Sequence, residues 1–372
     1  MSFKQWFMKQ RKNKDDESAL FVAPGIDQPP VVNEQAVQKF RQQKRRQPSI
    51  DEFVGGILAR NNTILSQAIT LVESSLPRHY ELAQQLIERC LPYSGNSIRV
   101  GITGIPGVGK STFIESLGTM LTSQGHRLAV LAIDPSSTRS KGSILGDKTR
   151  MESLSADANA FIRPSPSAGS LGGVARKTRE TIILCEAAGF DTVFIETVGV
   201  GQSEVSVHSM VDFFLLLMLA GAGDELQGIK RGIMEMADLI AITKADGANI
   251  SRSKLAQAEF QNALHLFPMP ESGWVPKVVT CSALNKVGID EIWREMVAYA
   301  DFTRKNGYFV SRRNRQAKYW MHETINEALK NKFYADRLIH EQVRELEKEV
   351  VANRLSPFAA AQLLLDRYFS LK

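Results

Sequence analysis

The chain has 372 residues, 43% of them hydrophobic, and a formal net charge of +6. That is more than one small domain needs, with enough apolar side chain for a sizeable core. Its three cysteines, Cys90, Cys185 and Cys281, lie far apart with no Cys-x-x-Cys pair, which argues against a disulfide framework or a zinc cage. Residues 1–50 carry ten Lys/Arg against five Asp/Glu, and the remainder 36 against 35. A basic tail on a nearly neutral body is not the pattern of a nucleic-acid-binding domain, and no nucleic-acid partner is expected.

Residues 1–48 read as a flexible basic extension, with Pro24-Gly25, Pro29-Pro30 and the patch Lys44-Arg45-Arg46. Lys4, Lys9, Arg11 and Lys12 suit a transit peptide, but Asp15-Asp16-Glu17 counts against one, and no apolar signal core is present. The expectation is a cytoplasmic protein. The longest apolar run, 213–220, is too short to span a bilayer, so no membrane partner is expected. Residues 49–96 read as a helical segment. Ser49-Ile50-Asp51-Glu52 has capping-box spacing, Asn61/Asn62 cap a second helix, and Pro77 precedes a third.

From 97 to 310 strands and helices alternate, which predicts an α/β fold with a mostly parallel central sheet flanked by helices. Expected strands are 98–103, 127–133, 159–163, 191–196, 212–219, 238–243 and 277–281; the helices between them include 110–123, 172–188, 251–265 and 288–299. Between the first strand and its helix lies Gly104-Ile105-Pro106-Gly107-Val108-Gly109-Lys110-Ser111-Thr112. This is the phosphate-binding loop pattern of a P-loop NTPase in its strand–loop–helix setting. Glycines let backbone N–H groups curl around phosphate, and the helix N-terminus adds positive potential. Lys110 is expected to reach the β- and γ-phosphates and the Ser111 hydroxyl to ligate Mg²⁺.

The strand around 193–196 ends in Glu196, followed by a glycine loop containing Gly199. A carboxylate there suits a place beside Mg²⁺ or the attacking water. The neighbouring strand ends in Asp134, and the long polar loop after it contains Asp147. Thr243-Lys244-Ala245-Asp246 is similar to the Asn-Lys-x-Asp element that selects guanine, with Thr in place of Asn. The Asp246 carboxylate accepts from guanine N1–H and the 2-amino group, and the Lys244 stem packs along the base. Cys281-Ser282-Ala283-Leu284 matches the loop that offers a backbone N–H to the guanine 6-oxo group. The six histidines are scattered without ligand spacing and read as structural or surface residues.

Residues 311–372 read as a C-terminal helical arm. Tyr319, Trp320, Ile325 and Leu329 recur at helical spacing along 314–353, and Ser356-Pro357 opens a last helix. A stripe of that length must pack on its own domain or on a second subunit; the subunit is the expectation.

Gly104–Ser111, Ile133–Ser137, Gly142–Met151, Glu196–Glu204 and Gly223–Lys230 together resemble the MeaB/ArgK (MMAA-type) family over roughly residues 50–372. Its members are P-loop GTPases and chaperones of adenosylcobalamin-dependent methylmalonyl-CoA mutase. The resemblance implies a homodimer joined partly through C-terminal helices, with GTP as substrate and GDP as product. It implies that Lys110, Asp134, Asp147 and Glu196 serve Mg·GTP binding and hydrolysis. It also implies that 219–230 couples nucleotide state to a mutase, with Lys230 approaching the nucleotide. The rival readings are a kinase linked to lysine, arginine or ornithine transport, a nickel-insertion GTPase, and a nucleotide-gated scaffold.

Overall fold

Ser49 starts the first described helix as its capping box predicts. Its hydroxyl accepts from the Glu52 N–H and the Glu52 carboxylate accepts from the Ser49 N–H at 2.7 Å. The computed structural model describes residues 48–74, 76–133, 151–165, 171–197, 203–221 and 231–370. The expected extension over 1–47, the loop with Asp134 and Asp147, and the positions of Gly199 and Lys230 lie outside the described residues. Ser49–Lys372 forms one compact unit.

Three helices open it: α1 (Ile50–Leu58), α2 (Asn62–Glu73) and α3 (Pro77–Cys90). The Asn61 side chain caps α2, accepting from Thr63 N and Ile64 N. Then follow β1 (Ile98–Gly104), α4 (Lys110–Ser123), β2 (Leu128–Ile133), α5 (Glu152–Ala156), β3 (Ala160–Ser165), α6 (Leu171–Ala187), β4 (Thr192–Thr197), α7 (Ser203–His208), β5 (Phe213–Leu219), α8 (Arg231–Glu235), β6 (Leu239–Thr243), α9 (Ile250–Leu264), β7 (Lys277–Thr280) and α10 (Ile289–Lys305). The seven strands form one sheet in the order β3-β2-β4-β1-β5-β6-β7, and every ladder is parallel. β1 lies near the middle, between β4 and β5. Both neighbours therefore bring their C-terminal ends beside the loop that leaves β1, where open parallel sheets place their ligands.

The apolar runs are buried on both faces, as parallel strands require. On one face Phe113, Leu117 and Leu121 of α4 and Ile292 and Met296 of α10 meet Val100, Ile102 and Phe194. On the other, α6 and α9 meet Val193, Ile195 and Ile240. The helices α1–α3 extend that same core through Phe53, Ile57, Leu65, Ile69 and Leu86. Full burial of each such side chain is worth roughly 1.5–3 kcal/mol, so this helical prefix is bonded into the sheet domain by its packing.

The C-terminal region differs from the sequence reading in two ways. The helical run is two helices, α11 (Tyr308–Ala335) and α12 (Arg337–Val351), followed by α13 (Pro357–Ser370). Asp336 breaks the run because it takes an extended conformation and caps α12, accepting from Leu338 N and Ile339 N. The stripe also splits. Trp320 is buried against its own domain, with its indole N–H on the Ser209 carbonyl, whereas Tyr319, Ile325 and Leu329 are exposed. Tryptophan takes the inward place because its N–H finds a carbonyl there while its ring fills the core.

Candidate nucleotide site

β1 ends at Gly104, whose φ is +154°. A Cβ there would sit 2.5 Å from the Leu217 carbonyl oxygen of β5, so only glycine lets the chain leave the sheet at this point. The loop turns through Gly107 and reaches Gly109, in the left-handed region at φ 95°, as the N-cap of α4. Val108 is fully buried under the loop, while Pro106, Gly107 and Thr112 are exposed and Ile105 partly so. The Lys110 ammonium folds back over this loop, donating to the carbonyls of Gly104 at 2.8 Å and Ile105 at 3.3 Å. Its pKa is lowered by burial, opposed by the negative charges of Glu196 and Glu204.

The Ser111 hydroxyl donates to the Glu196 carboxylate at 3.3 Å. β4 delivers Glu196 in a buried position, and Thr197 beside it donates to the Thr103 hydroxyl of β1 at 2.8 Å. A hydroxyl and a carboxylate oxygen are hard donors, the set that suits Mg²⁺ with its retained waters. The cysteines make no comparable set. Each is buried and free, and burial pushes the Cys90 thiol up to about 11 and Cys281 up to about 12. In the absence of a metal such thiols stay protonated at neutral pH.

The two expected base-recognition loops meet beside the phosphate loop. β6 ends at Thr243, and Lys244 takes a left-handed conformation with φ 56°. For a residue with a Cβ this costs on the order of 1 kcal/mol. The turn is held by Asn249, whose amide donates to the Lys244 carbonyl at 2.8 Å, and by Ala245 N–H, which donates to the Cys281 carbonyl at 3.0 Å. The Lys244 ammonium then donates to the Gly107 carbonyl at 2.8 Å, so its stem crosses the phosphate loop. Ser282 is buried and its hydroxyl donates to the Asp246 carboxylate, while accepting from Asn285 N at 3.1 Å. Ala283 is partly buried and Leu284 exposed.

Thr243 stands where the guanine-selecting element has Asn. Its hydroxyl donates to the Val108 carbonyl of the phosphate loop at 2.8 Å and approaches the Met218 carbonyl at 3.2 Å. A threonine therefore ties the two loops together as a longer polar side chain can. Sequence reasoning missed Glu204, which is almost fully buried at the start of α7 and acts on Lys110. The signal was its place in the motif run: a carboxylate in the first turn of the helix after the Glu196 loop.

The model of the family described as Methylmalonyl Co-A mutase-associated GTPase MeaB matches residues 65–337. A probable GTPase of Mycobacterium bovis is 49% identical over 318 residues, covering 86% of this chain and 95% of that one. The mouse protein called methylmalonic aciduria type A homolog, mitochondrial, is 48% identical over 336 residues, covering 88% and 81%. The crystal structure of a LAO/AO transport system kinase superposes with a TM-score of 0.69 at 39% identity, covering 86% of this chain and 97% of that one. With the P-loop between β1 and α4 and a parallel sheet around it, the chain is a P-loop GTPase and belongs to the MeaB family.

Proposed function

We propose that this GTPase works with Mg²⁺ as a homodimeric metallochaperone that gates cobalamin loading and protection of methylmalonyl-CoA mutase or a related mutase. The observation that carries the nucleotide half is the convergence of Lys110, Ser111–Glu196 and Asp246–Ser282 on one end of the sheet. Family membership and the names of its members support the mutase half.

Lys110 gives up its two carbonyl partners and neutralises charge on the β- and γ-phosphates. Backbone N–H groups of 104–112 cradle the same oxygens. Ser111 and Glu196 would hold Mg²⁺, whose charge would offset that developing on the transferred phosphoryl group. Glu196 also orients the attacking water. Asp246 accepts the two guanine donors, Ala283 offers its N–H to the 6-oxo group, and the Lys244 stem covers the base. The family resemblance adds Asp134 and Asp147 to the Mg·GTP site, Gly199 to the γ-phosphate loop, and Lys230 to the element that reports to the mutase.

The test is phosphate release from GTP by the purified full chain, with and without methylmalonyl-CoA mutase and adenosylcobalamin. Slow basal release stimulated by the mutase supports the reading, since a GTPase that awaits a partner's group turns over slowly alone. No stimulation, with no effect on cobalamin transfer, refutes the chaperone role. The kinase name of the superposed structure supplies the rival. Labelled γ-phosphoryl recovered on a protein rather than as phosphate favours that rival.

A further inference from the structure

The C-terminal helix α11 is bonded to the segment that leaves the nucleotide site. α7 begins at Ser203, and Glu204 in its first turn is buried with its charge acting on Lys110. The helix packs against β4 and β1. At Gly101 of β1 the fit is so close that a Cβ would lie 2.9 Å from Val207 of α7. Such contact transmits a displacement of α7 instead of absorbing it.

The chain then turns through 209–212 into β5, and three successive turns of α11 hold that turn. The Trp320 indole donates to the Ser209 carbonyl at 3.1 Å, and the Gln316 amide to the Val211 carbonyl at 2.8 Å. The Arg313 guanidinium donates to both Asp212 oxygens at 2.7 and 2.6 Å. It also donates to the Ser97 carbonyl at 2.7 Å, and Asp212 accepts from Arg99 N at 2.9 Å. Positions 313, 316 and 320 form one face of a helix, and they descend on 212, 211 and 209 in order. Hydrogen bonds to two carbonyls and one carboxylate of this short turn leave it little freedom to move apart from α11. Trp320 is the last of these anchors. Past it Met321, Ile325 and Leu329 are exposed, and a cavity of about 230 Å³ opens beside Trp320 between Arg176 and Thr324.

We propose that Arg313, Gln316 and Trp320 are positioning residues for GTP turnover: they clamp the turn after α7 and so hold α7 against β1 and β4, the strands that carry the phosphate loop and Glu196. The clamp works in both directions, because coupling between two sites is reciprocal. A displacement of α7 at the nucleotide moves the arm, and a partner seated on the arm resets α7. This inference rests on the assignment of the nucleotide site and is independent of the identity of the mutase partner.

The experiment uses the full chain labelled with 5-fluorotryptophan. The fluorine resonance missing from Trp320→Phe is that of Trp320. It is expected to shift between the GDP-bound protein and the protein bound to a non-hydrolysable GTP analogue. In Trp320→Phe, which keeps an aromatic ring, and Gln316→Met, which keeps volume, one hydrogen bond to the turn is lost in each, and kcat per nucleotide-binding site is expected to change about twofold to thirtyfold. By the same reciprocity the affinity for the GTP analogue relative to GDP is expected to shift in these variants, and an unchanged ratio overturns the proposal. Arg313→Lys, which keeps a cation at Asp212, is expected to recover part of the loss seen in Arg313→Ala. A role in stability alone predicts a lower urea midpoint with unchanged kcat per binding site, and that result overturns the proposal. So does a Trp320 resonance identical in both nucleotide states. Failure of the wild type to bind either nucleotide overturns the site assignment itself, and this inference with it.

Discussion

Asp246→Asn tests base recognition most directly, because the surrounding hydrogen bonds decide which way the new amide must face. The Ser282 hydroxyl accepts from Asn285 N at 3.1 Å and donates its proton to the Asp246 carboxylate. An asparagine that turned its NH₂ toward Ser282 would leave that buried hydroxyl proton without an acceptor. The amide oxygen therefore stays on Ser282 and the NH₂ faces the base. Guanine then meets a donor with its own 2-amino group, whereas xanthine offers a 2-oxo group that accepts. A buried mismatch costs about 1–3 kcal/mol, and a charge-assisted bond to the carboxylate is lost as well. GTP affinity should fall on the order of tenfold to several hundredfold, and affinity for xanthosine triphosphate should rise. The assay is competition of GTP, ATP and XTP against a fluorescent nucleotide, for wild type and variant. If the variant kept its guanine preference, or the wild type bound ATP as well as GTP, the placement of Asp246 at the base would be wrong.

Three further outcomes are expected. Thr243→Val keeps shape but strips the Val108 carbonyl of its 2.8 Å partner; it should cost about 1–2 kcal/mol, and calorimetric affinities for GTP and GDP should fall together because the loop itself loosens. Burial holds His208 neutral with its pKa lowered to about 3, helped by the nearby positive Arg312. Since the unfolded chain binds this proton from about pH 6.5 downward, stability should be lost as pH falls from 6.5 toward 3, at up to about 1.4 kcal/mol per pH unit. Urea midpoints across that range should show a shallower pH slope in His208→Gln; an identical slope would rule the residue out. Removing 337–372 deletes α12 and α13 but keeps Arg313, Gln316 and Trp320, so the chain should fold and hydrolyse GTP while light scattering reports a monomer. A soluble truncated dimer would show that these helices are not the subunit interface. Cutting instead at 312 removes all three anchors and should yield insoluble protein.

How much of this was readable in advance follows from the range of the forces involved. Strand positions, the phosphate loop and the helix caps were legible because each depends on neighbours within a few residues. Gly104-x-x-x-x-Gly109-Lys110-Ser111 needs φ values that glycine supplies, and Ser49 finds Glu52 three residues away. Parallel pairing was legible from the continuous apolar runs, since a strand covered on both faces has no polar side to show. Spatial order was not. That β1 lies between β4 and β5, and that Thr243 supports a loop 135 residues earlier in the chain, are decided by packing of whole layers. The division of the C-terminal stripe has the same cause. Periodicity puts Trp320 beside Ile325 and Leu329 as one apolar set, but only the folded chain brings the Ser209 carbonyl under the indole N–H. A buried donor must find an acceptor, and its nearest one here belongs to a segment 111 residues away.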